Sequence, residues 1–142
     1  MRTTGLVFLL LLLAAGCRSP RPEIPTMNAD SLREFLPTDG KLMVHYFHAG
    51  RRCATCELVE STARLIADGL PDSGVGFATH DLDTEESRQL AEALGVHGQT
   101  LLLLSRDGSK NITTDAFLLA QTRPEALADF LEYEILHFRP AP

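Results

Sequence analysis

Two cysteines three positions apart, in Cys53-Ala54-Thr55-Cys56, are the residues of this chain that most directly offer chemistry. Their meaning depends on where the chain puts them. An apolar run of strand length, Lys41 to His48, lies ahead of them, and a stretch of helical periodicity reaching Gly69 lies behind. A cysteine where a loop enters a helix meets unpartnered backbone N–H groups and the positive end of the helix dipole; both favour thiolate over thiol. Arg51 and Arg52 add two cations beside Cys53, so its pKa is expected below the roughly 8.5 of a free thiol. Cys56 is expected on the same helix face one turn in, more buried, and within reach of Cys53. That geometry suits dithiol exchange: attack by Cys53, a mixed disulfide, then resolution by Cys56. Other readings stand beside it. The pair can be an inert structural disulfide, or a brace for the loop of a non-catalytic binding module. With His48 it can form a soft ligand set for copper(I). A structural zinc site would want a second Cys or His pair at similar spacing, and the sequence has none.

The flanking polar residues have alternatives of their own. His48, five residues before Cys53, can relay a proton or ligate a metal, or can be a strand-end histidine bonded to backbone. His45 poses the same choice, while His80, His97 and His137 read as ordinary surface residues. Arg51 and Arg52 either stabilise a thiolate or form a solvated loop pair. Glu85-Glu86 and Glu132/Glu134 read as solvated helix faces. Asn111-Ile112-Thr113 matches the glycosylation triplet, a short pattern that is set aside here.

The elements that must position the cysteines follow from pattern. Lys41–His48, apolar on both faces, predicts a central buried strand. From Cys53 to about Gly69, Leu58, Thr62, Leu65 and Ile66 recur at helical spacing. Val75–His80 predicts a second strand. Asp83 or Thr84 caps a helix holding Leu90, Ala91 and Leu94, with Gly95 at its end. Leu101–Leu104 predicts a third strand, Asp107-Gly108 a hairpin turn, and the region of Ile112 a short fourth strand. Pro124 opens a final helix with Leu127, Phe130, Leu131, Ile135 and Phe138. A shorter helix with Leu32, Phe35 and Leu36 precedes them all, ended by Pro37 and Gly40. Strands joined through helices are expected to be parallel, and the Asp-Gly hairpin antiparallel. The order predicts a three-layer α/β domain over residues 30–142.

Strand, C-x-x-C, helix, then Gly95-Val96-His97-Gly98 before an apolar strand and Asp-Gly, resembles the thioredoxin family over about residues 35–138. Tyr46-Phe47-His48 with Arg52-Cys53-Ala54-Thr55-Cys56 is similar to a group of small bacterial thioredoxin-like proteins with a Y-F-H…R-C-x-T-C signature. The resemblance implies a thioredoxin-like three-layer fold, with a central mixed four-stranded sheet flanked by helices. It implies a thiol–disulfide oxidoreductase without a cofactor, whose partner is a protein dithiol or disulfide client or a transmembrane thiol electron carrier. The departures matter. Arg52 stands where the family carries Trp, and Ala54-Thr55 replaces the Gly-Pro that tunes redox potential. The cis-proline that binds substrate backbone gives way to Gln99 or Thr100, the carried-over substrate-binding residues. A cis bond there would cost about 3–4 kcal/mol, so a trans peptide is expected. The first strand lacks the family's buried acid, leaving His45 and His48 as its titratable groups.

The rest of the chain bounds where such a domain works. Arg2, the apolar run Leu6–Ala15, and Ala14-Ala15-Gly16 leading into Cys17 read as a secretory signal. They resemble the lipobox of bacterial lipoproteins, with cleavage before a lipidated Cys17; a plain signal with a coincidental cysteine is the alternative. The expected division is a signal over residues 1–16, a tether over 17–29 with Pro20, Pro22 and Pro25, and the folded domain. The location expected is outside the cytoplasm on a lipid anchor. Arg18 after the cysteine favours the periplasmic face of an outer membrane in a Gram-negative cell. The 142 residues hold 13 basic and 19 acidic side chains, so the net charge of −6 argues against a nucleic-acid partner. Three cysteines are too few to staple a miniprotein, and 44% hydrophobic residues are enough for a core of its own.

Overall fold

Leu42–His48 forms β1, and all but one of its seven residues are buried. The computed structural model describes residues 41–70 and 74–138. The expected signal, tether and helix around Phe35 lie outside them. Cys53 caps α1, Ala54–Asp68, whose 15 residues rise about 22 Å, matching the roughly 23 Å length of β1. The chain is thereby returned to the start of β1, and β2, Val75–Asp81, pairs parallel to it with Leu42 opposite Val75. The next helix, α2, Glu85–Ala93, has nine residues and rises only about 13 Å. It does not carry the chain back along the sheet. β3, Thr100–Ser105, therefore enters beside the C-terminal end of β1, with Thr100 opposite Phe47, and runs antiparallel. The expectation that helix-joined strands are parallel holds for β1 and β2 and fails for β3 for this reason. β4, Gly108–Asn111, closes an antiparallel hairpin, giving the order β2-β1-β3-β4.

Two features depart from the pattern reading. The fourth strand stops at Asn111, and Ile112 instead caps a helix that periodicity did not reveal, α3, Thr113–Thr122. Its fully buried residues are Ala116 and Ala120, and Phe117 and Leu119 pack half-buried beside them, so no large apolar side chain is repeated at helical spacing on the buried face. Pro124 then opens a short 3-10 turn, Pro124–Ala126, that leads into α4, Leu127–Leu136. The second departure is the buried face of α1. Cys56, Val59, Glu60, Ala63 and Ala67 face inward, while Leu58 is at the surface and Leu65 is 72% exposed.

The sheet separates two cores. Val44, Tyr46, Leu101 and Leu103 pack with Val59 and Ala63 of α1, Ala116 of α3 and Leu127, Leu131 and Ile135 of α4. Phe47 and Leu102 pack on the other face with Leu90, Ala91 and Val96. The result is a mixed four-stranded sheet between helical layers, a thioredoxin-like three-layer α/β fold. Gly95, at φ 69°, makes the left-handed turn that ends the α2 segment. Glu134, expected to be solvated, is half-buried and ion-paired to Lys110, tying α4 to β4. No helix of the described residues is long and apolar enough to cross a membrane.

Candidate active site

The C-terminal ends of β1 and β2, the start of β3 and the N-terminus of α1 meet at one end of the sheet, and the cysteines lie there. Cys53 is exposed; Cys56 is buried, at 6% exposure, on the inward face of α1. The two form a disulfide, with Cα atoms 5.1 Å apart. The Cys56 amide donates to Cys53 Sγ at 3.3 Å, so the first sulfur serves as the helix N-cap. An amide that donates to the sulfur favours its charged form, as the helix dipole does. The sheet end thus presents a C-x-x-C pair in the setting of a redox-active dithiol.

The loop before Cys53 is fixed from the opposite side of the fold. The Gly50 amide donates to Asp83 Oδ2 at 3.1 Å, and a Cβ on Gly50 would collide with that carboxylate. A larger residue here would have to displace the Asp83 carboxylate and lose this contact. Arg51 is exposed. Arg52 turns to the carboxylate of Glu60, which also accepts from Arg64 Nη2 at 2.9 Å. Arg52 is therefore committed to an acid in this disulfide form.

Beneath Cys56 lies Tyr46, fully buried, whose hydroxyl donates to the Cys56 carbonyl at 3.4 Å. Gln99 Nε2 donates to the same hydroxyl at 2.7 Å. Burial pushes the Tyr46 phenol above its ordinary value of 10.0; the Gln99 hydrogen bond pulls it down, Glu60 pushes it up, and Arg52 pulls it down. Gln99 is thereby joined to the dithiol end through one side chain. Thr100 is buried and donates to the Gly98 carbonyl at 3.0 Å, inside its own loop. No peptide bond among the described residues is cis, in line with the trans peptide expected where Gln99-Thr100 stands in place of a proline.

His48 is 5% exposed, and its Nδ1 lies 2.9 Å from the Ala49 carbonyl. A carbonyl only accepts, so Nδ1 is the donor in this contact and Nε2 is the ring nitrogen left for other partners. His45 is not beside the cysteines. It faces the α2 side of the sheet, with Nδ1 2.8 Å from His80 Nε2. His80, expected at the surface, is half-buried and stacks on Phe47 with centroids 4.7 Å apart. Burial, and then the neighbouring His48, hold its pKa below the ordinary 6.5. His97 and His137 are exposed, as expected.

Glu60 is the site residue that sequence reasoning missed. The helical face was placed on Leu58 and Leu65, which put Glu60 outside. Its position four residues after Cys56 was the available signal, since residues at that spacing share a face. No group of three or more His, Cys, Asp or Glu that could hold a metal occurs among the described residues. No protein-family model and no curated protein matches the chain; what the structure shows is a thioredoxin-like α/β fold with a C-x-x-C pair at the start of its first described helix.

Proposed function

We propose that this protein is a thiol–disulfide oxidoreductase working outside the cytoplasm on a lipid anchor at Cys17. The observation that carries the catalytic reading is the asymmetry of the pair: an exposed Cys53 whose sulfur caps α1, and a Cys56 buried behind it. In the reducing direction, Cys53 thiolate attacks a client disulfide, forming a Cys53–client bond and expelling one client thiolate. Cys56, deprotonated, then attacks Cys53 Sγ; the internal disulfide forms and the second client thiolate leaves. Two electrons pass from the protein to the client, and the oxidising direction is the reverse. A protein dithiol or a transmembrane thiol carrier restores the starting state. Gln99, exposed at the same end, and Thr100, the buried residue after it, are proposed to meet client backbone, and His48 is proposed to receive the Cys56 proton.

Replacing Cys56 with Ser tests the reading. The Cys56→Ser protein is expected to accumulate a mixed disulfide through Cys53, visible on non-reducing gels and lost in a Cys53→Ser/Cys56→Ser variant. Absence of any Cys53 adduct with a disulfide-bearing peptide would leave the pair as a structural disulfide. Anchoring is tested separately: Cys17→Ser is expected to release the protein from membranes or block its processing, and an unacylated soluble wild type would remove that part.

A further inference from the structure

Glu60 is 7% exposed, yet it presents a carboxylate on the α1 face that carries Cys56, one turn further on. Helical side chains lean toward the N-terminus of their helix, so this carboxylate leans toward the dithiol. Two cations share it: Arg52 through Oε2 and Arg64 through Oε1. They are held differently. Arg64 sits four residues along the same helix, and its guanidinium also covers the Phe77 ring, 4.7 Å from the centroid. Arg52 comes from the loop, keeps 37% of its side chain exposed, and has Glu60 as its one ion-pair partner among the described residues. It is also the residue immediately before Cys53. The cation that depends on Glu60 alone is thus the one next to the exposed sulfur.

In the reduced protein, loss of the Cys53 proton to solvent creates a second anion next to Arg52. We propose that Glu60 is a positioning residue that retains Arg52 on α1 and thereby opposes thiolate formation at Cys53. The acidity of the exposed thiol is then set by two anions competing for one cation. The inference deepens the proposed exchange function and rests on Cys53 as its reactive thiol, but what it fixes is acidity alone. It makes two predictions of opposite sign. Glu60→Gln releases Arg52 and makes Cys53 more acidic. Arg64→Gln leaves Arg52 as the sole cation on Glu60, strengthens that hold, and makes Cys53 less acidic.

The test is the pH profile of Cys53 alkylation. The full chain is reduced with dithiothreitol, freed of it, and treated with iodoacetamide from about pH 5 to about pH 9.5, a range spanning shifted and ordinary thiols. Peptide mass spectrometry separates Cys53 from Cys56 and Cys17. The midpoint is read rather than one rate, because a more acidic thiol is also a weaker nucleophile. A unit-charge contact near the surface corresponds to a movement of about half to one pH unit, or about threefold to tenfold in thiolate fraction at low pH. The expected result is a midpoint lowered by that amount in Glu60→Gln and raised in Arg64→Gln. Both movements should shrink by more than half in an Arg52→Ala background. An unmoved or raised midpoint in Glu60→Gln, or the same movement with and without Arg52, overturns the proposal. If Glu60→Gln does not fold, Arg64→Gln with and without Arg52 decides it on the same criterion. Client trapping by Cys56→Ser is independent: its failure removes the exchange function and leaves the midpoints interpretable, while failure of the midpoints leaves trapping intact.

Discussion

The two faces of β1 are built from the same kinds of residue and put to different use. Toward α1, α3 and α4 the strand presents Tyr46 and His48; toward α2 it presents His45 and Phe47. Each face has one aromatic residue and one histidine, and all four are buried. On the first face the polar atoms run to the end of the strand: the Tyr46 hydroxyl joins Cys56 and Gln99, and His48 bonds the loop carbonyl of Ala49. On the second they close on the neighbouring strand, His45 bonding to His80 and Phe47 stacking on it. One face links the core to the dithiol, and the other fastens β1 to β2. Residue type does not distinguish the two roles; the neighbouring element does.

Breaking the second face should have the largest effect on stability and none on the thiol. Phe47→Ala is expected to cost about 3–5 kcal/mol, as for other buried aromatic truncations, measured by urea unfolding. The Cys53 alkylation midpoint of the folded fraction should stay at the wild-type value. A moved midpoint would mean that the two faces are coupled.

Acid should act on the same face. His80 has a folded pKa below 6.5, so the unfolded chain takes up a proton near that pH while the native state still refuses it. The contribution to stability is therefore full above about 6.5 and declines as pH falls below it. His45 and His48 on β1 and Asp81 beside it on β2 are the titratable neighbours. With both rings protonated the His45–His80 hydrogen bond has no acceptor, and about 1–3 kcal/mol is at stake. Urea midpoints measured from neutral pH down to about pH 5 should fall, and His80→Gln should flatten the slope. A wild-type slope that persists in His80→Gln would move the effect elsewhere.

The first face is sharpened by a smaller change. Tyr46→Phe removes one hydroxyl and should cost about 1 kcal/mol. It should nevertheless alter the rate of mixed-disulfide formation, which Phe47→Ala leaves alone. The smallest effect is expected from Gln99→Ala, within about 0.5 kcal/mol because Gln99 is exposed. Its exchange rate should shift in the same direction as that of Tyr46→Phe. Opposite directions would show that Gln99 does not act through the Tyr46 hydroxyl.

Much of this was legible before the structure, and the misses share a cause. The central strand, the cysteines at the helix entry, Thr84 or Asp83 as a cap and Gly95 as a stop were readable because each rests on local chemistry. α3 was not, because its fully buried positions are alanines and its large apolar residues, Phe117, Leu118 and Leu119, are consecutive rather than periodic. Glu60 was lost in the same way: Leu58 and Leu65 outweigh Ala63 and Ala67 in any hydrophobic pattern, though the alanines are the buried pair. The His45–His80 contact was unreadable for another reason. It spans 35 residues and depends on the register that sets Phe47 against His80, which no local signal carries.

The alanine-lined seat of α1 has a mechanical consequence. Ala63 and Ala67 on this helix, and Ala116 and Ala120 on α3, offer no rotamers with which to absorb a displacement. The other inward side chains of α1 are Cys56, Val59, which is stiff at χ1, and Glu60, held by two guanidiniums, so the helix is expected to move largely as a rod. Cys56 rides on that rod, while Cys53 sits at its tip, where the short segment 49–52 joins the sheet. Parting the two sulfurs to admit a third is then expected to draw on that four-residue segment rather than on the helix.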